Sequence, residues 1–219
     1  TPSSISAVEL LEKLNVARFK VGSGDTSNLL LLKRLGKTRK PILLSSGMSS
    51  FEELETSIVF LRKFGNPLTI MQCTSKYPTG PKDWGLNVIQ ELKNRFELPV
   101  GFSDHSGTIY ASLAAAVMGA EVFEFHVVFD KRQFGPDVSS SITIDQVKIL
   151  TEGIKAIQTA MNNPLNKNNI SQCEDLKKMF GKSLSVNKNK KAGEIIKFED
   201  LESKKPSEYG ISAIEFEKV

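Results

Sequence analysis

The chain has only two histidines, and both fall where chemistry is done. His126 lies within "VFEFHVVFD" (122–130), a run of aromatic and β-branched residues that reads as a buried strand. Side chains alternate across a strand, so Glu124 and His126 share one face with Val122 and Val128, while Phe123, Phe125 and Val127 share the other. His105 closes a second strand-like run, "PVGFSDH" (99–105). Two neutral imidazoles suit a borderline divalent cation such as Mn²⁺ or Zn²⁺, with carboxylates and water completing the shell. The plainer reading of each ring is a hydrogen-bonded core histidine. If both hold one ion, their ring nitrogens come within about 5 Å of each other.

Other strand ends carry a different chemistry. "KVGSGD" supplies Lys20, Ser23 and Asp25, and "SSGMSS" follows the next apolar run. "CTSKYPTG" brings Thr74, Ser75 and Tyr77; "FSDHSG" brings Ser103 and Asp104; "DKRQFGPD" brings Asp130 and Asp137. Small hydroxyls, the N–H groups of Gly-Ser turns and a lysine are what a phosphate needs. A "GSGD" loop alone is common and carries little weight.

Groups at strand ends act together only if a parallel sheet gathers them, because its loops open at the C-terminal edge. The pattern predicts that sheet. Strands are expected at 19–23, 41–47, 67–74, 99–104 and 121–128, with helices at 4–14, 26–37, 49–64, 84–95, 107–118 and 143–162. Capping boxes are read at Ser49 with Glu52 and at Thr143 with Gln146, and Gly65 and Gly119 stand at helix C-caps. Five strands do not close a β/α barrel, which typically takes about 250 residues. Either an open five-stranded sheet or a piece of something larger is expected. Residues 163–180 turn polar and Asn-rich, as a linker would, and 181–219 has short strand-like pieces around a Lys-Ala-Gly turn.

Composition narrows the class. A chain of 219 residues with 40% hydrophobic and 25% charged residues is of ordinary globular make-up. No apolar run approaches the ~20 residues of a membrane span, and the N-terminal stretch lacks a signal-peptide profile. Cys73 and Cys173 form no disulfide framework or zinc pattern, so a reducing, cytoplasmic setting is expected. The net charge is +4, and the basic stretch 187–197 runs directly into "FEDLE"; nucleic acid is not expected as a partner.

Together, "FKVGSGDTSNLLLLKRLGKTRKPILLSSGMSSFEEL", "QCTSKYPT", "LPVGFSDHSGTIYASLAAAVMGAEVFEFHVVFDK" and "FGPD" resemble the sialic acid synthase (N-acetylneuraminate synthase) family, and "KSLSVNKNKKAGEIIKFEDLESKKP" resembles its antifreeze-like domain. The resemblance implies an α/β fold. Residues 1–162 would form about five of the eight units of a (β/α)₈ TIM barrel, 163–180 a linker, and 181–219 an incomplete antifreeze-like domain. It implies condensation of phosphoenolpyruvate with N-acetylmannosamine or a related N-acyl hexosamine, releasing phosphate, for surface glycan biosynthesis. A divalent metal, Mn²⁺ or Mg²⁺, would polarise the open-chain aldehyde.

By the same resemblance, His105 and His126 hold the metal, with Glu124 left as an orienting group or a barrel-layer residue. Thr1, Lys20, Ser23, Ser75 and Ser103 surround phosphoenolpyruvate. Asp25 stands near the reacting carbons, and Tyr77 and Asp137 bind sugar hydroxyls. Lys205 reaches the acyl group from a partner subunit, which implies a homodimer whose antifreeze-like domain meets the partner's barrel. Three positions depart from the family. Asp25 is shorter than the usual glutamate, Ser75 replaces an amide, and Lys205 replaces an arginine whose planar fork it lacks. Three earlier strands of the family, with further active-site residues, have no counterpart here, so 1–219 alone is expected to be inactive. The specific sugar stays open among neuraminate, legionaminate, pseudaminate and 9-phosphate-forming synthases. A non-catalytic fragment and an open-sheet phosphate-binding or aldolase-like domain remain the other readings.

Overall fold

A computed structural model describes residues 1–218, which divide into two compact units, the second beginning at residue 164. The first unit alternates helices α1 (Ile5–Lys13), α2 (Leu29–Gly36), α3 (Phe51–Arg62), α4 (Leu86–Phe96), α5 (Tyr110–Val117) and α6 (Ile144–Asn162) with strands. These are β1 (Phe19–Val21), β2 (Ile42–Ser45), β3 (Leu68–Cys73), β4 (Val100–Asp104), β5 (Phe123–Val128) and β6 (Ser141–Thr143). All six strands are parallel and lie in sequence order, so among the described residues β1 and β6 are the sheet's edges.

The five expected strands become six. The added β6 is three residues long and runs directly into α6, too short for a period of two to show. The Thr143–Gln146 capping box forms as expected. The other is displaced by one residue: Ser50 and Glu53 make it, because Ser49 is held in the preceding turn by its N–H to the Ser46 carbonyl.

Alternation along each strand separates structure from chemistry. Phe19, Val21, Ile42, Leu44, Ile70, Val100 and Phe102 are all but fully buried against Leu31, Leu32 and Leu35 of α2, Leu54, Ile58 and Leu61 of α3, and Ile89 and Leu92 of α4. Truncating such a side chain to alanine typically costs 2–5 kcal/mol, roughly, so this face anchors the sheet. The intervening residues, Lys20, Ser45, Cys73, Ser103, Glu124 and His126, are left to the other face.

In the second unit, β7 (Ser183–Val186) pairs antiparallel with β8 (Leu201–Lys204). Part of the segment read as a linker is helical instead, as α7 (Glu174–Phe180). Acidic Glu174 and Asp175 in its first turn and Lys177 and Lys178 in its last complement the helix dipole. Two lysines of the basic stretch, Lys188 and Lys190, pair with the Asp200 carboxylate, which also accepts the N–H of Lys197. These contacts hold that carboxyl far below the usual carboxylate range.

Candidate active site

Register decides which inward side chains stand abreast. Cys73 of β3 pairs with Ser103 of β4, and Ser103 pairs with Glu124 of β5. Adjacent strands lie about 4.8 Å apart, so His105 and His126, each two residues further on, come to neighbouring positions. Their ring centroids are 5.3 Å apart. The Tyr77 ring lies 4.2 Å from that of His105 and 5.9 Å from that of His126.

These groups line a cavity of about 230 Å³ at the C-terminal end of the sheet, with Lys20, Ser23, Ser45, Cys73, Ser103 and Glu124 on its other walls. A larger cavity of about 480 Å³ lies in the second unit, but its walls are Leu, Val, Ile and Phe with Ser185 and Lys197, and it gathers no donor set.

At one end of the first cavity the Lys20 ammonium donates to Glu124 Oε2 at 2.5 Å. Burial opposes ionisation of Glu124, but Lys20 and the Ser103 hydroxyl outweigh it and hold the carboxyl below its ordinary range. The pair's contribution to stability is therefore complete above the ordinary carboxylate pKa and is lost as pH falls through the lower folded value. Ser23 Oγ lies 2.8 Å from Ser45 Oγ, and Thr1 reaches the adjoining Gly22. Gly47 closes over these hydroxyls: a Cβ there would fall 2.5 Å from Ser75 Oγ, 2.6 Å from Ser23 Oγ and 2.8 Å from Cys73 Sγ. Gly47→Ala is expected to turn both serines away and raise the KM for an anionic substrate about tenfold; each serine escapes by one χ1 rotation, but the buried Cys73 must give way as well, so the melting midpoint should fall modestly. Steady-state kinetics beside thermal unfolding checks this; an unchanged KM would detach Gly47, Ser23 and Ser75 from the anion.

At the other end, His105 Nδ1 lies 3.2 Å from the Thr74 carbonyl oxygen. A carbonyl only accepts, so this contact is made with the proton on Nδ1, leaving the Nε2 lone pair for a ligand. Burial opposes protonation of His105, but Cys73, the Thr74 carbonyl and Glu124 outweigh it and raise its pKa. Burial likewise opposes ionisation of Cys73, and His105 with Ser45 and Ser23 brings the thiol below its usual value. His126 Nδ1 stands 3.8 Å from Asp137 Oδ2, an ion-pair distance too long for a hydrogen bond. Two imidazoles in this arrangement fit a borderline divalent ion. Among the described residues, no group of three His, Cys, Asp or Glu forms a site around one.

Of the residues singled out in the sequence, Lys20, Ser23, Tyr77, Ser103, His105 and His126 line the cavity. Thr1, Ser75 and Asp137 do not line it: Thr1 stands where a Cβ on Gly22 would meet it, Ser75 where a Cβ on Gly47 would, and Asp137 approaches His126. Asp25 does not line it; its carboxylate accepts from Asn28 Nδ2 at 3.0 Å. Lys205 belongs to the second unit, where its ammonium sits 4.7 Å over the Phe180 ring. Sequence reasoning missed Ser45 and Cys73 as wall residues. Both end strands, and that position was the available signal.

A parallel sheet with hydroxyls, a lysine and paired imidazoles at its C-terminal edge defines an α/β protein of the barrel type, with one polar cavity at the strand ends. The chain matches the NeuB family over residues 1–166 and belongs to it. It is 38% identical to the N,N'-diacetyllegionaminic acid synthase of Campylobacter jejuni, over 100% of this chain and 66% of that protein. It is 37% identical to human N-acetylneuraminate-9-phosphate synthase, over 72% of this chain and 44% of that one. The chain thus spans less than two thirds of the length of these relatives. A crystal structure of N-acetylneuraminic acid (sialic acid) synthetase from Leptospira borgpetersenii, in complex with citrate, superposes with a TM-score of 0.74 at 29% identity, covering 80% of this chain and 62% of that one. A truncated 3-deoxy-D-arabino-heptulosonate 7-phosphate synthase from Thermotoga maritima, 20% identical with a TM-score of 0.61 over 74% of this chain and 64% of that one, shares the fold.

Proposed function

We propose that the protein of which these residues form the site is a sialic acid synthase-type enzyme. It would condense phosphoenolpyruvate with an open-chain N-acyl hexosamine such as N-acetylmannosamine, for surface glycan biosynthesis. The enol carbon forms a C–C bond to the sugar aldehyde, water adds at the former enol carbon, and phosphate leaves by C–O cleavage. The observation that carries this reading is one cavity with Lys20, Ser23 and Ser103 at one end and His105, His126 and Tyr77 at the other. An anionic substrate and a sugar carbonyl would meet between them.

Lys20 has three donors; among the described residues Glu124 engages one, and the others would serve phosphate or carboxylate oxygens. The hydroxyls of Ser23, Ser75 and Ser103 would complete the anion's hydrogen bonds, with Thr1 beside Gly22. His105 and His126 would hold Mn²⁺ or Mg²⁺, with the remaining positions taken by water and substrate oxygens. When bound, the metal supplies Lewis-acid polarisation of the carbonyl. Tyr77 and Asp137 would orient sugar hydroxyls, and Asp25 would leave Asn28 to approach the reacting carbons. Residues 181–219 would belong to an antifreeze-like domain that meets the barrel of a second copy, with Lys205 directed at the acyl group, in a cytoplasmic homodimer.

The test is phosphate release from phosphoenolpyruvate with Mn²⁺ across a panel of N-acetylmannosamine, its 6-phosphate and diacetylated trideoxy hexoses. Release with none of these sugars would overturn the proposal. Residues 1–219 by themselves are expected to give no release above background. Among the described residues the six parallel strands leave β1 and β6 as open edges, where a barrel has eight in a closed ring. Turnover by 1–219 alone would show that the open sheet suffices.

A further inference from the structure

The loop between β5 and β6 carries a lysine that neither the cavity wall nor the proposed condensation uses. The ammonium of Lys131 donates to the carbonyl of Gly107 at 3.1 Å, to that of Val138 at 3.5 Å and to that of Ser141. Three N–H donors thus meet three carbonyls, which is all an ammonium has to offer. The three acceptors belong to two segments, the loop after β4 and the turn 137–141, and each adjoins a residue of the site. Gly107 follows His105 by two residues in the loop after β4. Val138 follows Asp137. Ser141 is the register partner of His126 across the β5–β6 ladder.

A second observation places the same segments in close contact. Gly107 has a φ of +67°, and a Cβ there would come 2.1 Å from the Ser139 carbonyl oxygen. Residues 137–141 therefore lie on the loop after β4 at a distance that only glycine permits. Within 137–141, Ser141 Oγ donates to the Asp137 carbonyl at 2.6 Å and fixes the turn from inside. Arg132, next to Lys131, plays no part in this: its guanidinium stays outside the loop, paired with Asp130.

We infer that Lys131 is a positioning residue for the sugar end of the site, its ammonium tying the Asp137 segment, the His126 ladder and the His105 loop into one unit. It touches neither substrate nor metal and acts through Asp137 and the two imidazoles. Its kinetic consequence rests on the condensation proposed above; its structural consequence does not.

The test is a cycle of Lys131→Met, Asp137→Ala and the double variant in the full-length protein. Lys131→Met is expected to raise the KM for the N-acyl sugar about tenfold while changing the KM for phosphoenolpyruvate less than about twofold. Because Lys131 acts through Asp137, the double variant should be no worse for the sugar than Asp137→Ala alone, within about twofold. Effects that multiply, or a KM rise shared equally by phosphoenolpyruvate, would overturn the inference. Amide hydrogen exchange supplies a readout independent of turnover. Lys131→Met should speed exchange in 105–108 and 137–142 and leave α2 and α3 unchanged. Exchange unaltered in those two segments, or accelerated across the whole unit, would overturn it as well. A wild-type protein inactive with every sugar would refute the proposed function and leave this structural test standing.

Discussion

His105→Ala and His126→Ala are each expected to weaken Mn²⁺ binding by about a hundredfold or more and to abolish turnover in parallel. The two rings stand 5.3 Å apart on adjacent strands, and among the described residues no third His, Cys, Asp or Glu joins them in a metal-holding group. With only two protein donors here, removing either leaves a single imidazole, which is a weak ligand by itself. The first ring is also fixed from behind, since its Nδ1 is directed at the Thr74 carbonyl, so His105 presents one nitrogen rather than a choice of two. Titration of Mn²⁺ by electron paramagnetic resonance, alongside phosphate release, reads both quantities. If either alanine variant bound Mn²⁺ with wild-type affinity, the rings would be hydrogen-bonded wall residues and the metal would have to be held elsewhere.

Lys20→Ala should strike the other end of the cavity and leave the metal alone. A charge-assisted hydrogen bond to an anion contributes about 1.5–3 kcal/mol, so kcat/KM for phosphoenolpyruvate is expected to fall roughly 10- to 150-fold from that contact alone. Glu124 makes the loss larger. Its carboxylate accepts from Lys20 at 2.5 Å, and without the ammonium it would present a bare negative charge to an anionic substrate. The double variant Lys20→Ala, Glu124→Gln should therefore recover part of the loss, a sign opposite to that expected of two independent contacts. Mn²⁺ affinity should stay within about twofold of wild type, because an ammonium has no lone pair to offer a metal. An unchanged kcat/KM for phosphoenolpyruvate, or an equal fall in Mn²⁺ affinity, would remove Lys20 from the anion pocket.

Much of the fold is legible residue by residue. The alternation in "VFEFHVV" and "PVGFSD" tells which side chains share a face, because the pleat turns every second Cβ the same way whatever the strand pairs with. Thr143 with Gln146 marks the start of α6 for a reason confined to four residues: each side chain satisfies the other's free N–H. Where two local solutions compete, sequence does not choose. "SSFEE" offers Ser49 with Glu52 and Ser50 with Glu53 equally well, and a backbone hydrogen bond from Ser49 to Ser46 selects the second. The strand β6 escapes detection because three residues are too few to carry a period.

By itself, then, the sequence determined that Lys20, Ser103, His105 and His126 stand in or at the ends of strand-like runs, and that Glu124 and His126 share one face of theirs. That much follows from alternation and from apolar runs that must be covered. Only the tertiary structure decided that Cys73, Ser103 and Glu124 lie in one row, that Glu124 pairs with a lysine 104 positions away, and that Lys131 joins the loop after β4 to the turn 137–141 through one ammonium. Register between strands is set by how the covering helices pack and how long the crossovers run, and a shift of a single residue would turn every one of these side chains to the opposite face.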